Sequence, residues 1–438
     1  MNVYDSVKMV NLLKPFGYTI THKLENSDMV ILNTCHIREK ATEKVYSELG
    51  KIRDYKAEKQ NKGHGDLITV VAGCVAQAEG AEIMQRAKVV DIVVGPQSLQ
   101  NLPELIAKLS REKKAQIDLN FSPVSKFDTL PEEYNDSAVS AFLTIQEGCD
   151  KFCKFCVVPY TRGAQYSRPI DEVYREALLM ASGGAKEITL LGQNVSAYET
   201  KNPDGTSKNL ATLIKMIAKI PQIQRIRYTT SHPNDMDDDL IALHGNEPKL
   251  MPFLHLPVQS GSNKILAEMN RKHDVELYLK IIDKFKAARP DIGFSSDFIV
   301  GYPGETEKDF EETCQLINTV KYAQAYSFKY SPRPGTPASV KEQVSEDIKN
   351  QRIQALQSLI VSHQENFNQK FLNKEVDVLF DRVGKQEGQI IGKTPYMQSV
   401  YLNQSAHLLN SVATVKIKYI GTNSMRGELI CQKETVTT

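Results

Sequence analysis

No stretch of about 18 consecutive apolar residues occurs in this 438-residue chain, so no membrane-spanning helix is expected. The first residues, MNVYDSVKMV, lack the apolar core of a secretory signal, which points to a cytoplasmic protein. Neither sign of charge is in excess, with 54 Lys and Arg against 53 Asp and Glu. That balance excludes a wholesale polyelectrolyte binder. It leaves room for a local basic groove that holds a folded RNA. Internal repeats and low-complexity tracts are absent. Cysteine is scarce and odd in number: seven in all, three of them crowded between positions 149 and 156. Such usage fits poorly with structural disulfides and better with metal or redox chemistry.

The length suggests about two to four domains. MVILNT (29–34), LITVVAG (67–73) and DIVVG (91–95) are short, β-branched apolar runs separated by helical patterns around 37–57 and 76–87. This alternation predicts an α/β domain with a parallel sheet over 1–121. The polar stretch 122–137, with two prolines and no periodicity, reads as a linker. Alternation resumes over 135–370, with strands at 141–146, 187–192, 225–230, 252–257, 293–301 and 324–331 and helices at 170–182, 209–219, 274–288 and 306–319. Six such units predict a partial (β/α)6 barrel, a fold whose chemistry sits at the C-terminal ends of its strands. A helix at 343–370 leads into 371–436, where short strands separated by turn residues predict a small antiparallel β-barrel of oligonucleotide-binding type. From Lys374 to the C-terminus, eight Lys and Arg face six Asp and Glu, a mild excess suited to phosphate contact.

Cys149, Cys153 and Cys156 form a C-x3-C-x2-C motif directly after the first strand of the central barrel. Three thiolates at this spacing can ligate three irons of one 4Fe-4S cube and leave the fourth open. An open iron can bind the amino and carboxylate groups of S-adenosylmethionine (SAM) and deliver one electron to its sulfonium, giving a 5′-deoxyadenosyl radical. The alternatives are a zinc knuckle and a closed structural cluster. Zinc wants a fourth Cys or His near by, and none follows closely. Phe155 fits an aromatic lining the adenine pocket, or simple packing. Gly183-Gly184 before EITLLG leaves an open backbone edge where a SAM amino group could dock, although most such pairs are turns. Asp297, in SSDFIVGYPGET, fits a ribose or proton contact, or a satisfied loop carboxylate. Tyr160, Arg162 and Arg168 follow the cysteine loop and are candidates for substrate or SAM contact, against the usual reading of Arg as a solvated charge.

Cys35 (ILNTCHIRE) and Cys74 (VVAGCVAQ) each follow an apolar strand and precede a helix. They would share one edge of the first sheet, in a setting that favours thiolate. Two thiolates are one short of the usual minimum for a cube. Cys314 and Cys431 read as structural.

The segments NTCHIREKATEKV, VAGCVAQ, QEGCDKFCKFCVVPYTRGAQYSRP, ITLLGQNV, RYTTSHP, HLPVQSGSNKIL, DFIVGYPGETEKDF and YSPRPGTPA resemble the radical SAM methylthiotransferases over nearly the whole chain. Within that family the chain is most similar to the branch that acts on isopentenyl-adenosine in tRNA. The resemblance implies two 4Fe-4S clusters, one on Cys149, Cys153 and Cys156 and an auxiliary one on Cys35, Cys74 and a third N-terminal cysteine. It implies that SAM supplies both the methyl group and the radical, and that carbon 2 of an adenine beside the anticodon receives the methylthio group. It also implies a C-terminal TRAM domain facing the tRNA anticodon loop, an electron donor of flavodoxin or ferredoxin type, and a monomer. One departure stands out. The family's third cysteine lies in a Gly-Cys-Gln-Met-Asn motif at the end of a first strand, and this sequence begins inside that motif at Met1-Asn2-Val3-Tyr4. The expectation is that translation starts upstream of Met1; otherwise His36 or an exogenous ligand completes the set.

Rival functions are methylthiolation of threonylcarbamoyl-adenosine in tRNA or of a ribosomal-protein aspartate, and non-catalytic RNA binding around a structural cluster. The last predicts no SAM cleavage after reduction.

Overall fold

The computed structural model describes residues 1–21, 23–34, 39–63, 65–121, 126–128, 130, 138–201 and 205–431. They form two compact units. The first comprises Met1–Asp136, Glu147–Arg168 and Arg333–Thr336; the second comprises Ser137–Gln146, Pro169–Pro332 and Pro337–Thr438. The division cuts across the boundaries read from sequence: the three-cysteine loop belongs with the N-terminal region, and the C-terminal barrel with the central one.

In the first unit, strands Met29–Thr34, Ile68–Gly73, Ile92–Val94 and Gln116–Asp118 form one parallel sheet in that order. Successive side chains of a strand face opposite sides, so a continuous apolar run serves two cores. Val70, Ala72, Ile92 and Val94 pack under helices Asn2–Leu13 and Leu102–Glu112 through Met9, Leu13, Leu102, Leu105 and Ile106. Val71 and Val93 face the other way, against Val45, Leu49, Val75 and Ile83. The fourth strand, Gln-Ile-Asp, is short, polar and at the sheet edge, so it carries no apolar run to betray it. The helix expected over 76–87 is two, Cys74–Glu79 and Ala81–Arg86, broken at Gly80 where φ is +56°.

The second unit holds six parallel strands: Ser140–Thr144, Glu187–Leu191, Arg225–Tyr228, Phe253–His255, Gly293–Val300 and Gln324–Lys329. They form two three-stranded sheets joined by a parallel bridge between Ile226 and Leu250, the open barrel expected from sequence. Six of its helices start on side chains that accept a backbone N–H of the first turn: Asn209, Asp237, Ser262, Asp274, Thr306 and Ser345. Each such cap is worth about 1 kcal/mol and sets where a loop ends. Among the described residues no helix is long and apolar enough to cross a membrane.

The C-terminal strands Glu375–Val383, Ile390–Lys393, Ser399–Leu402, Met425–Cys431 and Val412–Ile420 close, in that spatial order, into a barrel. The sequence reading of an antiparallel barrel needs one correction: Ser399–Leu402 and Met425–Cys431 run parallel. Five strands force this, because a closed ring with an odd number of strands cannot alternate direction throughout. Val378, Phe380, Val400, Val415 and Ile417 fill the interior. Two arginines of the one central strand Arg225–Tyr228 fasten this barrel. Arg225 donates to the carbonyls of Lys393 and Asp377, both at 2.8 Å. Arg227 donates to Pro395 and Thr394 carbonyls at 2.8 and 2.9 Å and to Glu187 at 2.8 Å.

Candidate functional site

The first unit brings together chemistry that is dispersed in sequence. Cys149, Cys153 and Cys156 are joined in no disulfide, Cys153 buried and the others half-buried. The loop is pinned by its backbone. Cys149 N–H donates to the Gly163 carbonyl at 3.2 Å, Cys156 N–H to the Cys153 carbonyl at 2.9 Å, and Val158 N–H to the Cys156 sulfur at 3.5 Å. The preceding Gly148 has φ +71°, and a Cβ there would stand 1.9 Å from the Ala164 oxygen. Only glycine fits this turn. Gly73, before Cys74, repeats the device with φ +89° and a Cβ position 2.5 Å from the Thr34 oxygen. Burial raises the Cys149 thiol, so ionising it in place needs a cation to compensate.

The donor set fits an iron–sulfur cube better than zinc. Among the described residues no three His, Cys, Asp or Glu side chains gather round one point as a single ion requires. A cube instead spreads its thiolates over separate irons, a set that three cysteines of one loop can supply.

Cys74 opens a helix at the C-terminal end of strand Ile68–Gly73, as expected. Cys35 and His36 lie outside the described residues, as do 122–125 of the expected linker. The Cys74 sulfur accepts from Nε of Arg162 at 3.4 Å. Arg162 is 3% exposed and also binds Glu147 at 2.9 Å and Asp5 at 2.9 Å. Lys126 completes the group, bonding Asp5 at 3.1 Å and Glu147 at 2.7 Å. Burial alone would raise the Asp5 carboxyl, but Lys126 and Arg162 outweigh it and hold it down at about 2. Burial likewise works against the charge on Arg162, yet Asp5, Cys74 and Glu147 keep the guanidinium protonated well above its usual value.

Arg162 is locked among these partners, and Arg168 is 5% exposed, stacked 4.4 Å from the Phe127 ring and bonded to the Tyr4 hydroxyl. Both guanidiniums are buried and hydrogen-bonded within the first unit. Gly183 and Gly184 end the helix Ile170–Ser182: their amides bond the Leu179 and Ala181 carbonyls, and Ala185 N–H bonds Met180. The pair is the C-cap of that helix, just before the strand Glu187–Leu191. Tyr160 is 52% exposed, Phe155 half-buried. In the second unit, Asp297 sits mid-strand, 3.6 Å from Nε2 of His255, and pairs across the sheet with Tyr326. Just past the second barrel strand, the amides of Gln193 and Asn194 donate to the Gln146 side chain at 2.9 and 3.0 Å.

Asp5, Lys126 and Glu147 escaped the sequence reading. Glu147 adjoins the motif in QEGC and could have been singled out. Lys126 lay in a polar stretch where nothing marks one lysine for burial.

The Radical SAM superfamily model matches residues 143–317, the TRAM domain model 369–430, and the model described as uncharacterized protein family UPF0004 residues 1–95. A radical SAM domain implies a 4Fe-4S cluster and SAM. Among solved structures, the fold is similar to the radical SAM methyltransferase TsrM from Kitasatospora setae (TM-score 0.57, 13% identity, 77% of this chain and 72% of that one). It is also similar to the cobalamin-dependent SAM radical enzyme OxsB (TM-score 0.52, 13% identity, 82% and 53%). The curated tRNA-2-methylthio-N(6)-dimethylallyladenosine synthase of Rickettsia felis is 59% identical over 98% of this chain and 97% of its own length. That of Rickettsia canadensis is 58% identical over the same shares. The chain belongs to the radical SAM methylthiotransferases of the tRNA-2-methylthio-N(6)-dimethylallyladenosine synthase type.

Proposed function

We propose that this chain transfers a methylthio group to carbon 2 of N6-isopentenyladenosine beside the anticodon of a tRNA. The observation that carries the reading is the near-full-length identity to the Rickettsia enzymes. Cys149, Cys153 and Cys156 would hold the radical SAM cluster, and Cys74 with Cys35 would belong to the auxiliary one. Bound at the first site, a 4Fe-4S cluster supplies the electron that cleaves SAM and so makes hydrogen removal from an unactivated carbon possible.

The remaining work falls to the chain's own side chains. Gly148, with the bond from Cys149 to Gly163, holds the Cys149 end of the loop. The Val158 amide directs an N–H at Cys156. Exposed Tyr160 is available to a flipped-out base, Phe155 to an adenine face, and Asp297 to a ribose hydroxyl. The C-terminal barrel, held by Arg225 and Arg227, would grip the RNA backbone. An electron donor of flavodoxin or ferredoxin type, a monomeric state and a cytoplasmic setting complete the reading.

The test is anaerobic reconstitution followed by an iron count and turnover with SAM, reductant and either isopentenylated or threonylcarbamoylated tRNA. About eight irons per chain would match two cubes, and about four only one. A methylthio product is expected with isopentenylated tRNA. Its absence there, with product on the threonylcarbamoyl substrate, would overturn the reading.

A further inference from the structure

The first unit carries a cleft of about 610 Å³ between the helix Glu39–Asn61 and the segment 86–89. That segment lies where the parallel strands begin, whereas Cys74 lies where they end. The floor is apolar, with Leu49, Ala57 and Val89. The rim is cationic, with Arg53, Lys56, Arg86 and Lys88, and no acid joins the lining. Lys56 is bonded to Asp91 at 2.6 Å. Arg53 and Arg86 pair with Asp54 and Glu82, acids that are 71% and 61% exposed, and such pairs are worth little. Lys88 is exposed and enters no ion pair among the described residues.

Two further observations point to an occupant. Gly50 sits inside the 23-residue helix Glu39–Asn61, and a Cβ there would meet nothing within 4 Å. No close approach demands glycine, which is the poorest helix former after proline. What its lack of a side chain does is keep the cleft open. Arg86, in turn, lies over the Tyr46 ring, 3.9 Å from its centroid, and the Tyr46 hydroxyl is held by Glu79. The stacked pair makes a flat, charged platform of the kind on which an RNA base stacks.

We propose that this cleft is a second contact site for the tRNA, with a base laid against the Tyr46–Arg86 stack and its flanking phosphates on Arg53 and Lys88. A nucleotide is planar and partly apolar in its base and anionic in its backbone, which matches an apolar floor under a cationic rim. The chain as a whole is nearly neutral at +1, so four cations without an acid are a local excess. The inference rests on tRNA being the substrate.

The reconstituted full chain is titrated with isopentenylated tRNA by fluorescence anisotropy over a series of KCl concentrations. Amide exchange is followed with and without the RNA. R53Q with K88Q removes two rim charges. G50L fills the floor and improves helix propensity, so the fold is kept. K280Q, exposed on the helix Val275–Ala288, is the control. The rim variant should bind about tenfold more weakly at about 0.1 M salt, with a salt slope smaller by about two. G50L should also bind more weakly, and K280Q as the parent does. Exchange over 46–60 and 85–90 should slow when tRNA binds the parent. Parental affinity in both cleft variants, or no slowing over those segments, would overturn the cleft as a tRNA site and leave the substrate reading standing. A parent that binds no tRNA would overturn that reading, and the inference with it.

Discussion

Nζ of Lys126 lies 2.7 Å from Oε1 of Glu147, and solvent reaches 0% of one side chain and 3% of the other. The same oxygen accepts from Arg162 at 2.9 Å, and Asp5 bonds both cations. Two acids and two bases, drawn from four distant places in the sequence, neutralise one another where no water can.

Removing one member strands its partners. Lys126→Met should destabilise the first unit by about 3–5 kcal/mol, the usual cost of leaving a buried charge uncompensated. Denaturant unfolding, compared with an exposed control such as Lys51→Met, measures it. A loss under about 1 kcal/mol would contradict the geometry.

Asp5 makes the same network acid-sensitive. Its carboxyl titrates at about 2 when folded, against an ordinary 3.8, so its contribution is fully present above 3.8 and is lost as pH falls toward 2. Asp5→Asn should therefore be less stable than the parent at pH 6, with the gap narrowing by about 2 kcal/mol as pH drops below 4. Paired unfolding curves across that range provide the check.

Glycine is required before each of two cysteines. Gly148→Ala would drive its Cβ against the Ala164 oxygen, and Gly73→Ala against the Thr34 oxygen, both at positive φ. Each should cost more than about 2 kcal/mol or displace the neighbouring thiol. Iron analysis after reconstitution should show Gly148→Ala losing the radical SAM cluster.

His244 is buried against Tyr228, and burial, aided by Arg289, pushes its imidazole down to about 3. The unfolded chain takes up a proton near 6.5 that the fold refuses. Stability from this group is whole above pH 6.5 and is lost as pH falls toward 3. Between those limits the slope is about 1.4 kcal/mol per pH unit, and His244→Gln should remove it.

Arg225 and Arg227 predict a mechanical effect. Replacing both by alanine removes four bonds to the carbonyls of Lys393, Asp377, Pro395 and Thr394. Amide exchange over 390–402 should quicken while the barrel core around Phe380 keeps its protection. tRNA affinity should fall, since a loosened barrel must be ordered again on binding.

Much of this architecture was legible because its signals are local. Apolar runs such as ITVVAG are buried on both faces, so every residue of the run is marked. The three cysteines announce themselves by spacing. Asn209, Asp237 and Thr306 cap helices within a few residues of their own position. The short edge strand Gln116–Asp118 and the break at Gly80 carry weaker local signals and escape a reading of the sequence. Gly183-Gly184 also closes the helix Ile170–Ser182 through bonds to the Leu179 and Ala181 carbonyls, a role that two letters do not reveal.

The sequence by itself determined the family, the order of α/β units, the closing barrel and the thiols that can carry metal, since each depends on residues near one another along the chain. Only the tertiary structure decided which charges are buried. Asp5, Lys126, Glu147 and Arg162 look like any surface residues until folding brings them within about 3 Å in a place without water, where each is tolerable only because the others are there. That convergence sets the Arg162 guanidinium against two carboxylates and the Cys74 sulfur, a placement its position in the chain does not reveal.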